Sequence, residues 1–184
     1  VNGWFKFSGT SYQGLFTSKY TKFLELLTKA GLYDPVFYDF PFLVDGEYYT
    51  VFIPTEQALN DYGVDDLSIE ELRSLLKFHF IRGDLIFTDG KKPEGYYLTK
   101  LEKDNSSSNS TESYGLKIRP EPDAIQILDK NGNIYSSVAE IKGETNQIIW
   151  HDSNEDSNSE WDFIATGVVH NIDKVLIRDS LQVN

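Results

Sequence analysis

Apolar residues recur at three- and four-residue steps only in the first half of this chain; beyond residue 83 they come in short β-branched and aromatic runs. That segregation constrains the fold more than any other feature. Helices first and strands later describe an α+β domain, whereas a doubly wound parallel sheet needs the two to alternate. The 184 residues fit one domain, 1–184. A chain of this size buries about 70% of the surface its unfolded form exposes, enough for a core without metal or disulfide staples.

In the helical half, SKYTKFLELLTKAG sets Tyr20, Phe23, Leu24, Leu27 and Ala30 on one face and stops at Gly31. In LSIEELRSLLKFHF, Ser68 and Glu71 have the spacing of a capping box, and Leu67 and Leu72 that of its hydrophobic staple. Leu72, Leu75, Leu76 and His79 then line one helical face. Between these two segments YYTVFIPT reads as a strand closed by Pro54. Thr55 follows as the cap of a short helix through EQALN, with Glu56 in its first turn. The opening VNGWFKFSGTSYQG has no helical period and reads as an extended arm.

In the second half DLIFTD, GYYLTKL, YGLKI, AIQIL, the stretch after Asn131-Gly132, TNQIIW, WDFIA and GVVHNIDKVLI read as strands. Asn131-Gly132 signals a turn, since both residues tolerate positive φ. The polar tract EKDNSSSNSTES reads as an exposed hairpin loop, mobile at its tip.

Composition closes several functional classes. With 29 acids against 17 bases the net charge is −12. Polyanion binding needs clustered Lys and Arg, so nucleic acid is excluded as a partner and anionic lipid surfaces are disfavoured. The absence of cysteine removes disulfides and thiolate chemistry. The absence of methionine marks the chain as a mature or trimmed fragment. No apolar run approaches the roughly 20 residues of a membrane helix.

Catalytic and metal signals are weak. There is no G-x-S-x-G, and the nearest approach, around Ser11, has Gln13 in place of the second glycine. His79, His151 and His170 lack the helical spacing that grips one ion, so no metal site is expected. Asp152 to Asp162 has acids and amides at alternate positions. Ser157 stands where a calcium loop needs glycine and Phe163 where it needs a bidentate Glu, so the tract reads as a solvated acidic loop. Phosphate cradles are absent and no cofactor is expected. Asp65-Asp66 and Glu70-Glu71 point apart on a helix, which argues against a hydrolase with paired carboxylates. Sequons at Asn105 and Asn109 matter only in a eukaryotic secretory route. In the pairs Tyr48-Tyr49 and Tyr96-Tyr97, alternation sends one ring outward. Tyr48 and Tyr97 are candidate binding residues, and a glycan-binding surface would use such rings with Trp4, Trp150 or Trp161.

Three stretches stand in a fixed order: TVFIPTEQAL (50–59), LLKFHF (75–80) and GVVHNIDKVL (167–176). Together they resemble the fasciclin, or FAS1, family, whose first motif reads T-V-F-A-P-T-x-x-A-F, whose centre carries Tyr-His and whose second motif reads N-G-V-V-H-x-I-D-x-V-L. Ile53, Leu59, Phe78 and Thr166 depart from that pattern. The resemblance implies a β-sandwich or wedge flanked by several helices, mostly from the N-terminal half. Its core would span about 18–178, with 102–113 and 152–162 as insertions. It marks Thr50, Pro54, Thr55, His79, Gly167, His170 and Asp173 as structural motif positions, and Phe78-His79 as the dipeptide position linked to adhesion. It implies a non-catalytic adhesion module at a cell surface or bacterial envelope, with a protein or glycan partner and a possible lipid anchor outside this fragment.

Within GVVHNIDKVLI neither alternating set is uniformly apolar. A bend or bulge near Asn171 to Asp173 would reconcile it with a strand, with His170 joining two unpaired backbone groups and Asp173 capping free amides. His79 and His170 are both expected to be buried and neutral.

Overall fold

The computed structural model describes residues 12–103, 112–139, 141, 143–152 and 163–182. In chain order the elements are α1 (Tyr12–Lys19), α2 (Thr21–Lys29), β1 (Tyr49–Pro54), α3 (Glu56–Tyr62), α4 (Ile69–Phe78), β2 (Phe80–Arg82), β3 (Gly95–Glu102), β4 (Ser113–Glu121), β5 (Ala124–Leu128), β6 (Ile134–Ala139), β7 (Gln147–Asp152), β8 (Phe163–Ile172) and α5 (Arg178–Leu181). The order is that of an α+β domain.

The strands form one sheet in the order β6-β5-β4-β3-β2-β1-β8-β7. Neighbours run antiparallel except β1 and β8, which pair in parallel from Tyr49 opposite Gly167 to Pro54 opposite Ile172. The sheet curls until β6 reaches the chain beyond β8. There Ser136 Oγ donates to Asp173 Oδ1 at 2.9 Å, Tyr135 Oη to the Val175 carbonyl at 2.7 Å, and Lys174 Nζ to the Tyr135 carbonyl at 2.9 Å. The expected sandwich is therefore one continuous sheet folded on itself. β3 belongs to both halves, meeting β2 at Thr99 and β4 along its other edge.

Two apolar clusters lie on either side of β1 and β8. Tyr49, Val51 and Ile53 of β1 and Val169 of β8 pack against Phe23 and Leu27 of α2 and Leu72 and Leu76 of α4. Phe52 and Ile172 face the inside of the curl with Ile81, Leu116, Ile118 and Ile125. Strands covered on both faces read as continuous buried runs, not alternating ones. This accounts for GVVHNIDKVLI without the predicted bulge at Asn171–Asp173: register with β1 is unbroken to Ile172. The irregularity falls earlier, between Ile149 and Trp150, where Thr166 is skipped opposite β7. A bend follows at Asp173 and Lys174.

Other expectations shift as well. Tyr12 to Gly14 are helical, not part of an arm; residues 1–11 lie outside the described residues, as does most of the polar tract after Lys103. Phe163 to Ala165 of the WDFIA run and Gly167 to Ile172 of the second motif lie in the single strand β8. β2 is too short for a periodicity signal. At Asn131-Gly132 only Gly132 takes positive φ, and the Asp129 carboxylate holds the loop by accepting the Asn131 and Asn133 amides, each at 2.8 Å.

The caps form as the sequence predicts. Thr55 Oγ1 accepts the Ala58 amide at 3.2 Å. Ser68 Oγ accepts the Glu71 amide at 3.3 Å while Glu71 Oε2 accepts the Ser68 amide at 2.9 Å. Leu67 packs against the cluster that contains Leu72, completing the staple. Ser68→Ala removes one side of this box and should lower unfolding stability by about 1 kcal/mol. Urea denaturation checks this, with the midpoint moving and the slope unchanged.

Candidate functional site

The segment DLIFTD, predicted as a strand, has no ladder. Ile86 is buried inside the curl, and side chains from neighbouring elements meet the segment's backbone groups. Thr50 Oγ1 donates to the Asp84 carbonyl at 2.7 Å and accepts the Ile86 amide at 2.9 Å. His170 Nε2 donates to the Ile86 carbonyl at 2.8 Å. The Thr88 amide donates to Asn146 Oδ1 at 3.2 Å, and Asn146 Nδ2 donates to Thr88 Oγ1 at 2.6 Å. A run with strand composition becomes a strut because β1, β8 and Asn146 just before β7 supply the partners that a neighbouring strand would have given.

Each buried histidine joins two backbone groups. His170 accepts the Asn146 amide at Nδ1, 3.2 Å away, and its ring lies 5.7 Å from that of Phe52. His79 accepts the Leu176 amide at Nε2, 3.0 Å away, and donates from Nδ1 to the Leu75 carbonyl at 2.8 Å. The hydrogen-bond network therefore assigns opposite tautomers, Nε2–H for His170 and Nδ1–H for His79. Burial pushes both imidazoles down to about 4, against the smaller opposing effect of the carbonyl each donates to.

The remaining motif positions brace the same pair of strands. The Thr55 amide donates to the Ile172 carbonyl at 2.8 Å, continuing past Pro54 the pairing that Pro54 itself cannot donate to. Asn171 Nδ2 donates to the Ile53 carbonyl at 3.0 Å. Gly167 lies directly beneath Tyr12: a Cβ there would sit 2.0 Å from the hydroxyl oxygen, so only glycine lets α1 approach. The Tyr12 hydroxyl is buried without a hydrogen-bond partner among the described residues, and burial raises its pKa. Asp173 accepts from Ser136 Oγ, and among the described residues it caps no amide.

Phe78 and His79, the dipeptide position, are each 1% exposed, so a docking partner meets neither side chain in this fold. Alternation makes Tyr97 the inward ring of its pair: it is 7% exposed and its hydroxyl donates to the Pro93 carbonyl, while Tyr96 is 60% exposed. The outward ring is thus Tyr96, not Tyr97. Tyr48 points outward as predicted. Trp4, Trp161, both sequons and residues 153–162 lie outside the described residues, as does the side chain of Trp150. Among the described residues no group of three metal-ligating side chains converges.

Two surface features remain. A groove of about 380 Å³ runs between α4 and the segment after β8, floored by Leu67, Leu75, Leu101 and Leu176 and rimmed by Glu70 and Arg178. The second, which the sequence reading passed over, is the turn DPVFYD. Val36 and Phe37 are each 75% exposed and Tyr38 56%. Asp34 and Asp39 close the turn with reciprocal amide–carbonyl bonds of 2.8 and 3.2 Å, and Asp34 Oδ1 accepts the amides of Val36 and Phe37. Its signal was Asp-Pro followed by apolar residues between two acids, a turn composition carrying core-type side chains.

A family model described as Fasciclin domain matches residues 18–178. The chain belongs to the fasciclin family. The solved structure of a FAS1 domain pair from the insect cell adhesion molecule Fasciclin I is similar at 18% identity and a TM-score of 0.43, over 87% of this chain and 45% of that one. The chain thus spans under half the length of that structure. Comparison with curated proteins finds no match. Fasciclin domains are typically cell-adhesion modules, extracellular or surface-associated and generally without catalysis. Among the described residues no helix is long and apolar enough to cross a membrane.

The buried rings give a signed pH dependence. Their folded values, about 4, lie below the ordinary 6.5, so the unfolded chain takes up protons first as pH falls. Their contribution to stability is complete above about pH 6.5 and is lost between there and about pH 4, at about 3 kcal/mol per ring. Urea denaturation across that range should show it, and long-range ¹H–¹⁵N spectra should show two neutral rings of opposite tautomer at pH 6.

Proposed function

We propose that this fasciclin domain is a non-catalytic, extracellular adhesion module carried by a lipid-anchored bacterial envelope protein. One observation carries the reading: the two imidazoles of its signature segments are committed inward. His79 and His170 each have both ring nitrogens bonded to backbone. A catalytic imidazole needs a nitrogen free to exchange a proton with substrate. These two act as braces, so recognition falls to the exterior, where the family's adhesive role is exercised through protein contacts. The acidic, cysteine-free composition suits an envelope setting.

Beads coated with the full chain test this on cultured cells and on a glycan array. Retention on cells that is abolished by surface proteolysis and unaffected by glycosidases is the expected result. No retention on any cell type would sink the adhesion reading. Glycosidase-sensitive retention with matching array hits would transfer the function to sugar binding through Tyr48 and Tyr96.

A further inference from the structure

Among the described residues, the large apolar side chains with the greatest exposure, Val36 and Phe37, lie on a turn whose backbone is tied down. Tyr33 and Phe40, on either side of the turn, are buried with ring centroids 4.8 Å apart, so both ends are anchored in the core. Between them the Asp34–Asp39 bridge and the Asp34 carboxylate fix the backbone. Tyr38 sits in the left-handed region at φ 54°, a conformation disfavoured for a bulky residue. Val36, Phe37 and Tyr38 contribute little burial in return.

An ordered, protruding aromatic has little rotamer and loop freedom left to lose on association, and such residues dominate binding energy where they fill a pocket. The electrostatic surroundings narrow the partner. From Leu32 to Tyr49 the chain carries four acids and no base. Glu47 is taken by Arg82 at 3.0 Å, while among the described residues Asp34, Asp39 and Asp45 join no ion pair. An acidic surround disfavours anionic lipid and, with a net charge of −12, a second copy of the same chain.

Resting on the adhesion reading, we infer that the turn Asp34–Asp39 is a docking knob for a protein, with Phe37 as anchor, received by an apolar pocket rimmed with lysine or arginine. A cationic rim gains long-range attraction from each of the three carboxylates outside ion pairs, felt most at low ionic strength.

The test pans a phage-displayed random peptide library on the immobilised full chain. The selected peptides should carry apolar residues beside Lys or Arg. They should bind at least about tenfold more weakly to Phe37→Ser, and more weakly to Asp45→Asn or as salt rises. Both positions are exposed, so the variants should melt with the parent. The inference is overturned by peptides that bind Phe37→Ser undiminished, by acidic peptides or by no enrichment. It is equally overturned by Phe37-dependent pelleting with phosphatidylcholine vesicles, or by a parent dimer that Phe37→Ser dissolves. Coated beads separate the two levels. Retention unchanged by Phe37→Ser removes the knob and leaves adhesion standing; failure of the parent beads removes adhesion itself.

Discussion

Water is excluded from both sides of the β1–β8 pair, and every polar atom placed there must find its partner inside the protein. Thr50 and His170 lie on these strands at 0% exposure, and each serves backbone groups of the Asp84–Thr88 strut. His79 does the same for the chain leaving β8 at Leu176. The three signature stretches are therefore one piece of machinery. They close the curled sheet by replacing ladder hydrogen bonds with side-chain ones at the places where the chain crosses from one layer to another. Truncating a member strands two buried backbone groups at once, a larger penalty than the net worth of the bonds themselves.

Much of this was legible in the residues. The capping box, the amphipathic faces of α2 and α4, the cap at Thr55 and most later strands follow from local chemistry, and the structure places them within a few residues of the sequence reading. The failures share one cause, which is that the deciding partner lies far away in the chain. DLIFTD has the composition of a strand but is captured by Thr50, His170 and Asn146 before any ladder can form. The failed alternation of the second motif suggests a kink; the true reason, a helical layer on one side and a sheet on the other, is a property of the whole fold. Tyr97 is a candidate binding residue in sequence because alternation gives two phases and sequence does not choose between them.

The site was less legible than the fold. Motif positions attract attention because they are unusual, and here their unusual character is structural: polar residues in an apolar strand, and a glycine under a tyrosine ring. The surface that stands out in the structure carries no motif at all. Val36, Phe37 and Tyr38 have the side chains of core residues, and beyond the turn composition around them only their exposure distinguishes them. Bracing and recognition are thereby carried by different parts of the chain, and the exterior is free to vary while the interior is held.

The parallel pairing of β1 with β8 also has a consequence for biosynthesis. Ile53 and its registered partner Asn171 are 118 residues apart. As the chain leaves the ribosome, β1 emerges well before β8, apolar on both faces, with β2 to cover one edge and nothing for the other until β8 is made. Pairings of such long separation form slowly, and a bare apolar edge invites the wrong neighbour. The nascent domain is thus most vulnerable while β1 is out and β8 is still to be made, and a chaperone that shields β1 during that interval would act where protection matters most.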